Sequence, residues 1–524
     1  MQKTILRKQD HPSLLMKYSP PIKLSCHDEC ELNQQYLAYS GLVKLSTILL
    51  CAACLAQAVY AEEANYPELN DSDEISLMRT LSNHGLHDLK DERWNIYAQG
   101  TFISQWQPAF AAAYTNLNGT PNSLKNTAAN SFTGTVTPYL GFKVWTGGEF
   151  YYSPEMIAES PLSNLKGLGG SIQDFELQKT GSESATWYTS RAYFKQTFSL
   201  GGTSKAIHSA PMQLAGTVDS RRLVITAGRV SVIDLFDKNI YAGDLRHQFF
   251  NMAFMANGAY DFAADARGFS QGLAAELYYD NWAVHAGRFA IPVSPNVINM
   301  DYSIFEHYGD QIEVEHKHVI AQQPGAVRLL VYRNRADTGK FSDATKLFEA
   351  NPNLNGTTCT TANYSNPNAH APDLCWARTT NTKIGVGINM EQRITADIGV
   401  FFRSMWTDGK TEVYNYSSAD DSLSLGAIMK GSRWGRERDT MGLGYAASFL
   451  SKSHAAYLNK GGIDAFLGDG ALNYQPEQVV DIYYQCHVVK STWVSVDYQH
   501  LANPGYNADR GPVDIYGVRV HVEL

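Results

Sequence analysis

The chain reads as all-β: a transmembrane antiparallel β-barrel of about 16 strands with a short N-terminal helix. Three observations carry that reading. From Ser131 to Lys143 every second position changes character: Phe132, Val136, Leu140, Phe142 and Val144 share one parity, while Ser131, Thr133, Thr135, Thr137 and Lys143 share the other. Successive side chains of a strand point to opposite faces, so this segment has one oily and one wet face over a length that suits the roughly 9–11 residues of a membrane-crossing strand. Such segments then recur down the chain, joined by connections that alternate between short turns and long polar loops, as in outer-membrane barrels. Finally, an export signal leads the chain, and no later segment approaches the roughly 18 consecutive apolar residues of a helical span.

Composition agrees. Aromatics are 12% with 30 Tyr, Gly reaches 41, and charged residues are only 18%. Tyr and Gly with modest charge suit β-structure and aromatic belts. Leu45–Val59 is an apolar run after Lys44, and the small residues Val59 and Ala61 predict cleavage after Ala61. Met16 is an alternative start. Cys54 raises a lipoprotein reading that the preceding Cys51-Ala52-Ala53 does not favour. Removing residues 1–61, with six Lys/Arg against four Asp/Glu, takes the net charge from −9 to −11. A mildly acidic exported chain argues against a nucleic-acid partner.

The expected organisation is leader and signal at 1–61, a polar extension at 62–92, and one barrel domain over 93–524. In the extension, Asp71, Glu74, Ile75, Met78, Leu81 and Gly85 carry the start, apolar face and stop of one short helix. Strands are expected to begin near Trp94, Ser131, Gly147, Tyr188, Leu223, Gly272, Trp282, Gln311, Gly325 and Lys383. Six more begin near Ile394, Ser422, Asp439, Gln478, Ser491 and Asp514. Short turns fall at Asp280-Asn281 and around Gln392-Arg393; long polar loops fall at 107–130 and 338–382. The last strand alternates Tyr516, Val518, Val520, Val522 and Leu524 with Arg519, His521 and Glu523, and should close against the first; Leu524 stands where such barrels usually end in Phe or Trp. Cys359 and Cys375 flank a polar loop, and export makes a disulfide between them the expectation, which would constrain that loop by about 3 kcal/mol. Cys486 is left over as a thiol in a strand.

Several ordered blocks make the chain resemble the OprB family of carbohydrate-selective outer-membrane porins. They are Asn122-Ser123-Leu124, Tyr139-Leu140-Gly141 through Glu149, Ser153-Pro154-Glu155, and Ala227-Gly228-Arg229. Asp234 to Ala242, Asp244-Leu245-Arg246, Gln248-Phe249, Asp497-Tyr498-Gln499 and Asn503 to Pro512 follow. The resemblance implies a roughly sixteen-stranded barrel in outer-membrane lipid, needing no cofactor, that passes monosaccharides or related cyclic polyol acids such as quinate and shikimate passively. Whether it works as a monomer or a homotrimer is left open.

A sugar path needs aromatic faces for the apolar side of a ring and charged or amide groups for its hydroxyls. On the strand 188–198, Thr189, Arg191, Lys195 and Thr197 oppose Ala192, Phe194 and Phe198, which sets Arg191 and Lys195 in the lumen, at a constriction or merely as lumen polarity. Arg229 and Arg288 lie in echoing Ala-Gly-Arg segments, and simple parity puts each on its strand's apolar side. Either the preceding Gly marks a bulge that turns the Arg inward, the reading favoured here, or each Arg is a rim anchor, since a guanidinium facing mid-depth lipid costs roughly 2–4 kcal/mol. The loop 234–251 concentrates Asp237, Lys238, Asn239, Asp244 and Arg246 with Tyr241, a candidate stacking face. It is either an inward-folded constriction or a loop packed by its own ion pairs. Glu149 and Glu155 are lumen or rim candidates.

Three motifs point elsewhere. Gly268-Phe269-Ser270-Gln271-Gly272 fits the nucleophile elbow of a hydrolase, and a lipase-like barrel using Ser270 is the alternative function; but an elbow needs a helix after it, and an alternating strand follows. His316 and His318 share a strand face without a third metal ligand, so they read as wet-face residues and no metal site is expected. Gly167-Leu168-Gly169-Gly170 reads as a loop without a phosphate site. A secreted carbohydrate-binding protein is a third reading, separable by cell fractionation.

Overall fold

In a computed structural model of the chain, residues 76–177, 181–244, 246–354, 359, 366–414 and 417–524 are described. The leader, its cleavage site, the alternative start and the cysteines before residue 60 lie outside the described residues, as do Asp71, Glu74 and Ile75. Helix α1 spans Leu77–Asn83 with Ser76 as its cap; Met78 is fully buried, and its sulfur accepts from the Ile96 amide at 3.3 Å.

Sixteen strands close into one antiparallel barrel. They are β1 (Trp94–Gln107), β2 (Ala129–Trp145), β3 (Gly148–Ser160), β4 (Thr186–Ser199), β5 (Arg221–Val230) and β6 (Ser270–Tyr279). Next come β7 (Trp282–Phe289), β8 (Tyr308–Ile320), β9 (Gln323–Gly339), β10 (Arg378–Arg393) and β11 (Ile398–Thr407). The wall ends with β12 (Asp421–Lys430), β13 (Thr440–Phe449), β14 (Glu477–Val489), β15 (Thr492–Ala502) and β16 (Val513–Glu523). Each pairs with its sequence neighbour, and β16 closes on β1 from Gln99↔Glu523 to Trp106↔Tyr516. Leu524 extends that seam by exchanging backbone hydrogen bonds with Ala98 at 2.9 and 3.1 Å, so the atypical last residue still closes the ladder.

The faces sort as alternation requires. On β2, Ser131, Thr133, Thr135, Thr137 and Tyr139 are buried inward, while Val136, Phe142 and Val144 are exposed on the outer surface. Leu273, Val284, Ile312, Val331, Leu443 and Val518 continue that apolar outer surface around the wall. Buried Arg328, by contrast, pairs inside with Glu315 and Glu391. An isolated two-sided ribbon would leave this oily face in water; closure in lipid removes both the exposed face and the free edges. Aromatics cap the belt: Trp106 stacks on Tyr516 at the loop end, and Trp282 lies 4.2 Å from His316 at the turn end.

Tight turns join β2–β3, β6–β7, β8–β9 and β14–β15 at one end. At Gly147 φ is +72°, and an added Cβ would meet the Thr197 carbonyl at 2.3 Å, so the β2–β3 turn needs glycine. The β4–β5 link departs from this pattern: it carries a small hairpin pairing Ser204–Ile207 with Gly216–Asp219. Asn95 Nδ2 donates to its Gln213 carbonyl at 2.8 Å, tying it over the turn-end mouth. Long loops occupy the other end and hold helices α2 (Phe341–Ala350) and α3 (Lys452–Asn459). Cys359 and Cys375 are disulfide-bonded with Cα atoms 6.3 Å apart, and Cys486 is a free, half-buried thiol in β14.

Candidate functional site

The longest link, 231–269 between β5 and β6, folds into the lumen and lines much of its wall. Asp237 sits at φ +56°, a conformation Asp tolerates, and its amide donates to Glu313 on β8 at 2.7 Å. Its carboxylate accepts from Asn389 on β10 at 2.7 Å and from Asn257 within the loop. The fully buried Arg403 of β11 donates to the carbonyls of Asp237 and Phe254 at 3.0 and 2.9 Å. Farther along, the Phe250 and Asn251 amides donate to Asp481 on β14. Phe249, packed 5.1 Å from Tyr483 and 5.6 Å from Phe401, supplies the apolar underside.

Two open cavities lie against β2 to β6. Toward the loop end is a cavity of about 450 Å³, lined by Thr135, Glu155, Glu176, Asp244, Arg246, Arg267 and Phe269 among others. Toward the turn end is a second of about 590 Å³, lined by Tyr193, Lys195, Thr197, Arg222, Glu276 and the hairpin residues Pro211 to Gln213. Tyr139, Arg191, Asp234 and Lys238 line both, so these four form the neck between them. There Arg191 clamps Asp234 through Nε at 2.6 Å and Nη2 at 2.8 Å, with its guanidinium 5.3 Å from the Phe269 ring; Lys238 is exposed.

Among the sequence-predicted residues, Arg191 is at the neck and Lys195 lines the turn-end cavity, where its Nζ is 2.6 Å from Glu149. Thr189 departs from them. A bulge at Ser190, between Ser153↔Arg191 and Pro154↔Thr189, exchanges the faces of β4, so Tyr188 rather than Thr189 reaches Glu155 inside. Glu155, Asp244 and Arg246 line the loop-end cavity; Arg246 pairs with Glu176 and lies 4.0 Å from Glu155. Asp237 and Asn239 touch that cavity but are mostly buried in the loop's attachment, with Asn239 Nδ2 donating to Asn389 at 2.7 Å. Tyr241 is a correction. Its ring lies over Gly399 of β11, where an added Cβ would come within 2.0 Å, so it seals loop to wall and lines neither cavity. Tyr139 takes the aromatic place at the neck.

Arg229 and Arg288 are a second correction. Both ladders run through Gly228 without a register shift, so no bulge turns Arg229 inward. Arg229 instead reaches up the rim to Asp265 at 2.6 Å and the Thr189 carbonyl at 2.8 Å. Arg288 keeps the parity of Trp282 and Val284 and forms a two-pronged pair with Asp310, which also takes Arg333. Pairing across strands at the loop-end rim satisfies these guanidinium groups without a lumen position. Arg229→Ala and Arg288→Ala are therefore expected to leave ion selectivity and sugar block unchanged. Both should lower the temperature of heat modification on gels, Arg229 more, because its partner Asp265 is almost fully buried.

The remaining motifs also resolve. Ser270 opens β6 and its Oγ donates to the Ala290 carbonyl at 2.6 Å, with no strand-turn-helix around it. His316 and His318 share a face, but it is the outer one beside Trp282 rather than the wet one. The Gly169, Gly170 and Ser171 amides do hold an anion: the chain's own Glu477 carboxylate, at 2.8–3.2 Å. Missed by sequence reasoning were Tyr139 and Asp234 as neck residues and Glu176 as a lumen group, whereas Lys238 was already a constriction-loop candidate. Parity already placed Tyr139 with Thr135 and Thr137; Glu176 lies in an irregular loop with no periodic signal.

Comparison with known proteins agrees with this geometry. The family model described as carbohydrate-selective porin, OprB family, matches residues 140–524. The chain belongs to the OprB family. It is thus an outer-membrane β-barrel porin by family and fold. The high-pH structure of Pseudomonas putida OprB is similar at 14% identity and TM-score 0.60, covering 82% of this chain and 94% of that one. The low-pH structure of the same protein gives TM-score 0.45 at 11% identity, covering 89% and 100%. The outer membrane channel DcaP of Acinetobacter baumannii gives 0.43 at 9%, covering 83% and 98%. No significant match was found among curated protein sequences. Within the OprB-family region, the blocks from Asp497 to Pro512 act as loop latches: Gly505 donates to Glu477 at 2.7 Å and Tyr506 to the Ser418 carbonyl at 2.7 Å.

Titration should tune the lumen. Burial pushes the Glu176 carboxyl up to about 7 against the opposing pull of Arg246, and Asp174 up to about 6. Both groups sit on the β3–β4 loop. Between pH 5 and 8 they ionise and make the bore more negative, so cation-over-anion permeability should rise; Glu176→Gln should remove the step near neutral pH. Salt-gradient reversal potentials check this. The sign for stability is the opposite: the native state keeps protons that the unfolded chain releases above its ordinary 4.5, so stability falls as pH rises toward 7.

Proposed function

We propose that this porin passes small polyhydroxylated solutes by passive diffusion, with monosaccharides such as glucose as the best-fitting class. The observation that carries this reading is the neck shared by the two cavities. Arg191 and Lys238 offer donors, Asp234 offers acceptor oxygens, and Tyr139 offers a ring, all within one opening. A sugar presents alternating hydroxyl donors and acceptors around an apolar ring face, so a mixed-sign neck replaces its water without trapping it. No bond is made or broken on this path. Ser270, held to a backbone carbonyl, gives the hydrolase alternative no support.

One feature favours a second solute class. The turn-end cavity gathers Arg191, Lys195, Arg222 and Lys238 against Asp234 and Glu276, an excess of cations that would accept a carboxylated cyclic polyol such as quinate. Liposome swelling with purified protein separates these. Glucose is expected to enter readily, quinate at a comparable rate, and the more extended dianion succinate more slowly. Entry of succinate faster than both would overturn the polyol reading. Ser270→Ala should leave all three rates unchanged.

A further inference from the structure

The constriction loop touches the barrel's closing seam through three side chains that the solute path does not use. His247, on the loop, and His521 and Glu523, both facing inward on β16, bring His247 Nε2, His521 Nε2 and a Glu523 carboxylate oxygen within 4.8 Å of one another. Both imidazole nitrogens aim at the same oxygen, Oε1, at 3.0 and 3.2 Å. Ligand atoms bound about 2.0–2.1 Å from a tetrahedral zinc ion stand roughly 3.3 Å apart, so the two histidine–carboxylate spacings match, and the two imidazole nitrogens, within 4.8 Å of each other, close on the ion as it binds.

The surroundings are those of a prepared site. His521 Nδ1 stands 2.9 Å from Thr101 Oγ1, which accepts its proton, and His247 Nδ1 stands 2.9 Å from the Gln485 side-chain amide, which turns its oxygen toward the ring to accept the Nδ1 proton when Nε2 binds an ion. Outer partners of this kind fix ring orientation and tautomer in metal-binding histidines. Trp493 packs edge-on against His247 at 4.8 Å and lies 5.9 Å from His521, walling one side with apolar surface. Glu523 is 43% exposed at its side chain, which leaves an approach from the turn-end mouth.

We propose that His247, His521 and Glu523 form a binding site for a borderline divalent transition ion, zinc by ligand type, with a fourth position open to water. Two imidazoles and one carboxylate suit zinc and disfavour magnesium or calcium, which take all-oxygen shells. A bound ion ties the loop 231–269 to the last strand beside the β16–β1 seam, fixing the constriction at a second point.

The test uses the purified, folded full barrel in detergent, stripped with chelator and titrated with zinc by calorimetry. Cobalt absorption serves as a second probe of tetrahedral geometry. One ion per chain is expected. His247→Gln and Glu523→Gln should each weaken binding at least tenfold while keeping heat-modifiable mobility, and zinc should raise the heat-modification temperature of the wild type but not of either variant. His316→Gln with His318→Gln should leave affinity unchanged. X-ray absorption of the zinc-loaded wild type, which needs no variant to fold, should show two imidazoles. Folded wild type that binds no ion at equimolar zinc, binding that survives both substitutions, or a zinc shell without two imidazoles would each overturn the site.

Discussion

Arg191→Ala is expected to weaken glucose block of the channel by about ten- to a hundred-fold and to raise single-channel conductance. The guanidinium and Asp234 face each other across the neck, held by two charge-assisted hydrogen bonds. Truncation widens the opening and removes a charged donor to the passing hydroxyls, an interaction worth about 1.5–3 kcal/mol. At roughly 1.4 kcal/mol per decade that loss gives the stated range. Asp234, left without its partner, should also shift selectivity toward cations. Arg191→Lys keeps the charge but not the planar fork, so an intermediate block is expected. Because the pair is partly exposed, the variant should still fold and run as a heat-modifiable band. Glucose titration of the current in a planar bilayer reads all of these effects.

Asp237→Ala should instead damage the barrel's interior. The carboxylate is almost fully buried and accepts from Asn257 and Asn389, and Arg403 Nε stands 3.5 Å from it. Removing one partner of a buried charge pair costs about 3–5 kcal/mol, because the other charge is stranded. Alanine adds strain at a left-handed φ that aspartate tolerates. The expected outcome is a released constriction loop: a lower heat-modification temperature, a larger and noisier conductance, and faster proteolysis within 231–269. Asp237→Asn, which tolerates the backbone and keeps the hydrogen-bonding shape, should fall between. A conductance and melting profile equal to wild type would show that the loop is held elsewhere.

The wall was legible in the sequence because alternation is local. Ser131–Lys143 needs no partner to declare its faces, and twelve of the sixteen expected starts fall on the observed strands; Gly147, Asp439 and Ser491 precede theirs by one residue, Ile394 precedes Ile398 by four, and the farthest is Lys383 against Arg378. Parity also assigned Arg229 and Arg288 correctly to the outer face. The favoured bulge at Gly228 overrode it, whereas the real bulge lies on β4 at Ser190, next to no glycine. Inside loops that rule is silent. The density of charge in 234–251 marked the constriction, but nothing in it said that Tyr241 would cover Gly399 while Tyr139 of β2 faced the path. The triad of His247, His521 and Glu523 shows the same limit: its ends are 276 positions apart, and only the inward fold of the loop makes them neighbours.

The most direct test of a hydrated bore narrowed by Tyr139, Arg191, Asp234 and Lys238 is single-channel current through the purified, heat-modifiable protein while glucose is added. A steady current that falls saturably with glucose is the predicted result. Folded protein that carries no current, or a current indifferent to glucose, would contradict it.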